Sequence, residues 1–211
     1  TWNTLAYMEN NGETGLRGQQ KKSRRQAILK AAKSLFAKDG FESTSVQAIA
    51  EKAMVSAPTV YTYFGSKSGL LMAIIIESDV HLFAKVEALV ARSVGKPVKD
   101  MKALLSLVTN ESLKMMDILT WRHVFANAIL DPENVIGKGY RQQNIRLYNA
   151  CEDLLSTCVI AGNLPEGRDL KMLRSLCECL NHTLFEQLVT GEIPTFEDYE
   201  NQLQEHLKLF L

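Results

Sequence analysis

The sequence predicts an all-α protein, and three observations lead to that fold class. Apolar residues recur at the three- and four-residue spacing of amphipathic helices along most of the chain. Gly, Pro, Asn and Asp separate these stretches in the way typical of helix ends. No stretch of strand length keeps an alternation of apolar and polar residues. We therefore expect about nine helices and no sheet.

The first helices lie in a domain predicted over residues 21–71, after an arm at residues 1–20 that is rich in Asn, Gly, Gln and Thr and that we expect to be flexible. The first helix carries its apolar residues at helical spacing and stops at Asp39-Gly40. Thr44 with Gln47 forms the sequence pattern of a capping box and predicts the start of the second helix.

The third and fourth helices follow after short turns. Ser56 with Pro58 predicts a helix start, and Gly65 ends that helix. Ser66 then caps a long fourth helix that runs to about Ala91. This helix leads into a second predicted domain over residues 72–211.

The second domain continues with helices near 98–116, 119–130, 133–161, 168–190 and 196–210. The breaks between them fall at 95–97, 131–132, 162–165 and 191–194, where Gly or Pro occurs. Gly137 and Gly139 predict a late start or a kink in the helix over 133–161.

Composition places the chain among ordinary globular proteins. Of its 211 residues 46% are hydrophobic and 23% are charged, which excludes a mostly disordered chain. The longest apolar run, Leu70 to Ile76, is far shorter than the ~18 residues of a membrane span. The first thirty residues contain no secretory signal, so we expect a cytoplasmic protein.

Charge is distributed unevenly although the net charge is zero. Residues 1–71 contain ten Lys and Arg against five Asp and Glu, so the remainder carries the opposite excess. From Arg17 to Lys38 there are eight basic residues and no acidic one. Such an asymmetry is expected of a nucleic-acid-binding end, although a solvated helix face would give the same run.

The second and third helices are joined by the four-residue turn 53–56, an arrangement that matches a helix-turn-helix. In that motif the second helix of the pair enters the DNA major groove, and its N-terminal residues reach base edges. Pro58 and Thr59 occupy that end here, and Tyr61, Thr62 and Tyr63 follow with hydroxyl groups suited to phosphate.

The stretch from Arg25 to Leu71 resembles the DNA-binding domain of the TetR family of transcriptional regulators. The resemblance covers about 47 positions in order, including "LF", "GF", "AIAEKA", "PTVYTYF" and "SK..LL". It implies a three-helix DNA-binding domain joined by the long fourth helix to a helical ligand-binding and dimerisation domain. It also implies a repressor that a small, largely apolar ligand releases from a palindromic operator.

Position by position, the resemblance implies that Gln47, Ala57, Pro58 and Thr59 face bases. It implies phosphate contacts from Thr44, Tyr61, Tyr63 and Lys67. Three of these residues have an alternative interpretation: Gln47 closes its capping box, Tyr61 is a core aromatic, and Lys67 is merely solvated. One departure is Met54, which stands in the turn where the family usually has Gly. A left-handed Met there costs ~1 kcal/mol unless the turn shifts.

The resemblance further implies a homodimer formed through the last two helices. These helices carry apolar stripes at Leu173, Leu176, Leu180, Leu184 and Leu188, and at Phe196, Tyr199, Leu203, Leu207 and Phe210. Packing within one chain explains either stripe equally well. The long fourth helix belongs to both domains, so a ligand that prefers one placement of it would change operator affinity.

A ligand pocket is expected among the middle helices, where large or soft apolar side chains collect: Met115, Met116, Trp121, Phe125, Tyr148 and Cys151. Taken singly, each of them is also a candidate for plain core packing. Four polar residues of these helices would either orient the ligand or lie at the surface: Arg122, His123, Asn127 and Asn181.

An enzyme is the rival interpretation from another class. The sequence lacks a nucleophile–base signature, a phosphate-binding Gly-rich loop and a metal-ligand spacing, so we expect no catalysis, no metal and no cofactor. The four cysteines form no paired framework and favour buried apolar packing over a redox or soft-metal site. A second alternative is a TetR-like protein that acts through a protein partner or DNA without sensing a small molecule.

Overall fold

The computed structural model describes residues 15–164 and 167–211, and every regular element in those ranges is a helix. The all-α prediction is confirmed. The helices are α1 (Leu16–Asp39), α2 (Val46–Lys52), α3 (Ala57–Phe64), α4 (Lys67–Ala91), α5 (Pro97–Met115), α6 (Ile118–Leu130), α7 (Val135–Ile160), α8 (Leu170–Thr190) and α9 (Phe196–Leu207).

The chain divides into two compact units between Ile74 and Ile75, three residues beyond the predicted boundary. The helix α4 begins in the N-terminal unit and ends in the C-terminal unit. In the N-terminal unit α2 packs against both α1 and α3. Fully or almost fully buried side chains from each element form its core: Ile28, Phe36, Phe41, Ile49, Val60, Leu70 and Leu71.

In the C-terminal unit the last helix packs against helices from two different parts of the chain. The helix α9 contacts α5 and α8, while α7 packs against α5, α6 and α8. Tyr199 of α9 is fully buried, and its hydroxyl accepts a hydrogen bond of 2.9 Å from the hydroxyl of Thr109 in α5. Nearby, the ammonium of Lys102 donates to the side-chain carbonyl of Gln204 at 2.8 Å. These contacts join residues about a hundred positions apart.

Three predicted helix starts shift in the structure. The helix α1 begins at Leu16, so residues 16–20 are helical and not part of an arm; residues 1–14 of that predicted arm lie outside the described residues. The N-cap of α2 is Ser45 and not Thr44, since the Ser45 hydroxyl oxygen accepts from the Ala48 amide at 3.1 Å. The predicted Thr44–Gln47 capping box is therefore wrong.

The third shift concerns α7, which begins at Val135 behind an Asn134 cap. A β-carbon at Gly137 would lie 2.6 Å from the backbone oxygen of Pro132. Glycine lowers the helix propensity at position 137, but the structure requires it there, because the preceding turn approaches the backbone too closely for a β-carbon.

Candidate nucleic-acid interface

The turn between α2 and α3 gives the N-terminal unit its helix-turn-helix. Ala53 ends α2, and Ser56 caps α3: its hydroxyl oxygen accepts from the amide of Thr59 at 3.3 Å. Met54 takes φ +54°, which is the left-handed region, and its side chain is 92% exposed. The turn therefore keeps the left-handed geometry although Met replaces the usual Gly, and no apolar packing compensates for the strain.

Met54→Gly should raise the free energy of unfolding of the N-terminal unit by about 0.5–1 kcal/mol, since glycine adopts a left-handed φ without the β-carbon clash. Urea unfolding followed by circular dichroism measures the difference. Met54→Ala is the matched control: it also removes the side chain but keeps the β-carbon, so it should leave stability nearly unchanged. An equal gain in both variants would show that the exposed side chain, not the backbone, causes the strain.

The first turn of α3 holds the residues predicted to meet bases. The hydroxyl groups of Ser56 and Thr59 are 2.8 Å apart, which orients Thr59 beside the cap. Pro58 is exposed, and Ala57 and Thr59 are half-buried. Gln47 on α2 is exposed as well, and with Ser45 as the cap its side chain is not needed for a capping box. The base-facing role of these four residues stays a prediction.

Tyr61 and Tyr63 differ in exposure. Tyr61 is 47% exposed and therefore is not the core aromatic of the alternative interpretation. Tyr63 is half-buried, and its ring lies 6.2 Å from that of Phe64 at the end of α3. The geometry leaves the Tyr61 hydroxyl open to a phosphate, and Tyr63 combines a packed ring with a partly exposed surface.

Thr44 and Lys67 face inward. Thr44 is only 4% exposed, and its hydroxyl donates to the carbonyl oxygen of Gly40 at 2.7 Å. The Lys67 ammonium donates to three carbonyl oxygens, those of Phe41 at 2.9 Å and of Glu42 and Thr44 at 3.2 Å. It also lies 4.4 Å from the centre of the Phe41 ring.

An ammonium group has three N–H donors, and all three of Lys67 are used within the domain. The structure thus contradicts the picture of Lys67 as a merely solvated residue and gives it a structural role: it holds the loop after α1 against the start of α4. A phosphate contact would require it to give up one of these bonds. The sequence carries no local signal of this arrangement, because the partners lie 23 to 26 residues away.

The C-terminal unit contains a cluster of aromatic rings that includes two residues predicted to bind ligand. Phe125 lies 5.3 Å from Tyr140, 5.7 Å from His182 and 5.6 Å from Phe185 between ring centres. Trp121 packs edge-on against Phe185 at 5.3 Å, and its indole N–H donates to the backbone oxygen of Ser112 at 3.0 Å. Both are thus buried and satisfied within the chain, as core packing requires.

Of the other predicted ligand residues, Tyr148 lines a cavity of about 330 Å³ between α7 and α8, together with Ile145, Arg174 and Glu178 among others. Burial raises the pKa of the Tyr148 hydroxyl. Cys151 is fully buried, and Met115 is half-buried. A second cavity of about 400 Å³ lies between α4 and α7 and is lined by Phe83, Val86, Val90 and Arg146 among others.

Two of the polar residues expected near the pocket are engaged elsewhere. Arg122 donates to the backbone oxygens of Val189 and Thr190 at 2.8 and 3.1 Å and so caps the end of α8. Asn127 bonds to the backbone and ring of His123 within α6. Asn181, in contrast, is buried, and its side-chain oxygen has no hydrogen-bond partner in the described part of the chain.

Asp79 on α4 is a buried acid that the sequence analysis missed. Its side chain is 4% exposed, and one carboxyl oxygen, Oδ2, has no hydrogen-bond partner among residues 15–164 and 167–211. Burial raises the pKa of Asp79 to about 7, against an opposing effect of the Arg146 charge from α7. The sequence contained a signal for this burial: Asp79 lies on the apolar face of α4 that begins with Leu70, at a helical spacing that places it with the buried residues.

The cysteines mostly follow the apolar interpretation. Cys151, Cys158 and Cys177 are buried, while Cys179 is exposed. Burial raises the pKa of the Cys158 thiol to about 11 and that of Cys177 to about 12. Within the residues that the structure describes, no group of three or more His, Cys, Asp or Glu side chains could hold a metal ion, and no helix is long and apolar enough to cross a membrane.

The N-terminal unit, in which the long helix α1 precedes a helix-turn-helix of two short helices, has the architecture of a DNA-binding domain and is followed along the chain by a second helical unit. Residues 28–74 match the family model described as bacterial regulatory proteins, tetR family. The resemblance of this region to the TetR family is thereby confirmed.

Relatives of known name extend the comparison. The HTH-type transcriptional repressor KstR of Rhodococcus jostii is 31% identical over 121 residues, which cover 56% of this chain and 55% of the relative. The match thus spans about half the length of that relative. A TetR transcription regulator from Haloarcula marismortui has the same fold at a TM-score of 0.69 and 14% identity, covering 89% of this chain and 98% of the other.

The transcriptional regulator FadR from Bacillus subtilis, in complex with stearoyl-CoA, also has this fold. The TM-score is 0.61 at 16% identity, covering 87% of this chain and 96% of that protein. At these identities the solved structures establish the fold alone, and the family model covers residues 28–74.

Proposed function

We propose that the chain is a sequence-specific DNA-binding transcriptional regulator, a repressor that a small, largely apolar ligand releases from a palindromic operator. The observation that carries the proposal is the helix-turn-helix of α2 and α3, whose outer side exposes Gln47, Pro58 and Tyr61. It lies in the part of the chain with the excess of basic residues. Repressors named among the relatives, such as KstR, support it.

In this proposal Gln47 and Thr59 read bases through hydrogen bonds, and Ala57 and Pro58 offer apolar contact. The hydroxyl groups of Tyr61 and Tyr63 bind phosphate and fix the register of α3 in the groove. Thr44 and Lys67 contribute by holding the loop that precedes α2 and not by contacting phosphate, since both side chains are engaged internally.

A homodimer would present two α3 helices to half-sites ~34–36 Å apart. The proposal places the dimer contact on α8 and α9, outside the buried part of their apolar stripes. Tyr199, Leu203 and Leu207 are fully buried within one chain, so that stripe is intramolecular core. Both helices also carry exposed residues, among them Met172 and Cys179 on α8.

Ligand binding is proposed for the C-terminal unit, at the cavity beside Tyr148 or the cavity beside Phe83. The FadR complex with stearoyl-CoA supports the idea that this fold accommodates a ligand with a long apolar part. The helix α4 runs from Lys67 to Ala91 and so belongs to both units. A ligand that prefers one placement of α4 would lower operator affinity by the coupling free energy, typically ~1–3 kcal/mol.

Selection of operator sequences from random duplex DNA tests the proposal. The wild type should enrich an inverted repeat. Gln47→Ala should weaken binding by about 1–3 kcal/mol and relax the preference at one position of each half-site, since the bidentate hydrogen bonding to a base is removed. Tyr61→Phe should weaken binding to all sequences alike, because only a phosphate contact is removed.

Gln142→Ala, at an exposed glutamine of α7, is the matched control and should leave the selected sequence and the affinity unchanged. Failure of the wild type to enrich any sequence at moderate salt would contradict the proposal. Stearoyl-CoA is a suitable first probe for release: loss of operator binding on its addition would support ligand control of this kind.

A further inference from the structure

The first three turns of α1, residues 16–27, form a segment that we call the basic extension. The family match begins at residue 28, where α1 also has its first buried side chain, Ile28. No residue of the extension is buried; Gly18 and Arg25 are half-buried and the others are exposed. These turns therefore contribute no apolar face to the core, and packing does not explain why the chain keeps them helical.

The charges of the basic extension are all of one sign. It carries five basic side chains and no acidic one: Arg17, Lys21, Lys22, Arg24 and Arg25. Arg17 and Lys21, and Lys21 and Arg25, are four residues apart, a spacing at which like charges repel on a helix. Positive charges also oppose the dipole at a helix N-terminus, and Gly15 provides no side-chain cap.

Nothing within the described part of the chain offsets this charge. No ion pair among residues 15–164 and 167–211 involves Arg17, Lys21, Lys22 or Arg24. A polyanion beside the extension would outweigh these unfavourable effects, since each of the repelling side chains would then gain a negative partner.

The position of the extension, beside the end of α3, indicates that this polyanion is DNA. Arg25, at its inner end, lies 5.6 Å from the centre of the Phe64 ring, measured from the guanidinium carbon. Phe64 is the last residue of α3, the helix proposed to lie in the major groove. The extension thus starts beside the end of the recognition helix, and with a rise of ~1.5 Å per residue Arg17 lies about 12 Å further along α1.

We infer that the basic extension is a second DNA-binding surface, which holds the phosphate backbone next to the half-site that α3 reads. This inference rests on the proposed function and adds to it a set of contacts outside the helix-turn-helix. The contacts are to phosphate only, because flexible Lys and Arg side chains on an exposed helix give charge neutralisation without a fixed geometry toward bases. They increase affinity for every duplex and leave the preferred sequence unchanged.

The test replaces Arg17, Lys21, Lys22 and Arg24 together by Gln and retains Arg25, which contacts Phe64. Binding of the selected operator and of a random duplex of equal length is measured by fluorescence anisotropy at several salt concentrations. The slope of log affinity against log salt becomes shallower by about 0.9 for each phosphate that the variant no longer neutralises, and we expect a total change of about 2 or more. Affinity should fall by a similar factor for both duplexes.

The control removes the same charge elsewhere, by Gln at four exposed basic residues of the C-terminal unit: Arg92, Lys96, Lys99 and Lys171. It should keep the wild-type slope. A second variant, Lys21→Arg with Lys22→Arg, retains the charge and should also keep the slope. Thermal unfolding of each variant establishes that the fold is intact, since none of the replaced side chains is buried.

The outcomes separate the two proposals. If the wild type selects an operator and the extension variant keeps the wild-type slope, the inference is wrong and the proposed function stands. If the variant loses binding only to the operator, the extension reads sequence, which also contradicts the inference. If the wild type binds neither duplex, both proposals fail. In that case, binding of the wild type but not of the variant to phosphatidylserine vesicles would assign the extension to a membrane surface.

Discussion

Replacing Asp79 by Asn should raise the free energy of unfolding by about 4 kcal/mol at pH 8, and by only about 1.5 kcal/mol at pH 5. The carboxyl group is almost completely buried, and burial raises its pKa from 3.8 to about 7. At pH 8 the folded wild type must therefore hold a buried charge that the unfolded chain exposes to water. Asparagine has nearly the same shape and no charge, so it avoids that cost.

The sign follows from the protons bound in each state. Between pH 3.8 and pH 7 the folded chain retains the Asp79 proton while the unfolded chain has lost it. Stability of the wild type should thus fall as the pH rises through this window, and the fall should be absent in Asp79→Asn. Arg146 is the charge that opposes the shift, so Arg146→Met should increase the destabilisation at pH 8.

Urea unfolding at pH 5 and pH 8 measures both effects. Asp153→Asn, at an exposed aspartate of α7, is the matched control and should change stability by less than about 0.5 kcal/mol at either pH. Equal stability of wild type and Asp79→Asn at pH 8 would mean that the carboxylate has a compensating partner that lowers its pKa.

Lys67→Met should lower the free energy of unfolding of the N-terminal unit by about 3 kcal/mol. The variant keeps the length of the side chain and removes three charge-assisted hydrogen bonds to the carbonyl oxygens of Phe41, Glu42 and Thr44, together with the contact to the Phe41 ring. Thermal and urea unfolding of the two chains give the difference.

The same variant also separates two roles for Lys67. If Lys67 is only structural, Lys67→Met should leave the slope of log affinity against log salt unchanged, provided that the variant is folded at the temperature of the assay. If Lys67 binds a phosphate, the slope should become shallower by about 0.9. Lys52→Met is the control for stability: Lys52 donates a single exposed hydrogen bond to Ser34, so its loss should cost less than about 1 kcal/mol. A cost for Lys67→Met no larger than this would contradict the structural role.

The helices and the helix-turn-helix were predictable because periodicity and end signals are local properties of the sequence. Ser56, Ser66 and the glycine at position 65 act in the structure as their residue types indicate. The choice between Thr44 and Ser45 as a cap was not predictable, since both carry a hydroxyl and only the backbone decides which one faces the helix. The start of α1 carries no cap, and so the sequence offered no signal for it.

The exposure of Gln47, Pro58 and Tyr61 was predictable because it follows from the position of each residue on its own helix, while their role toward DNA stays a prediction. Exposure was not predictable where a charged side chain makes contacts far along the chain. Lys67 and Asp79 both belong to residue types that usually face water, and residue type alone does not predict their internal contacts. The internal contacts of Lys67 and the burial of Asp79 involve partners from other elements, Phe41 in one case and Arg146 in the other, which only the tertiary structure brings close.

The packing of α9 on α5 also has a consequence for the order of folding during synthesis. The helices of the N-terminal unit contact their neighbours along the chain, so that unit can form as soon as its residues have left the ribosome. The C-terminal unit buries Tyr199 against Thr109, ninety residues earlier, and closes only when α9 has been made. The N-terminal unit of the nascent chain is thus already folded while the core of the C-terminal unit still lacks α9.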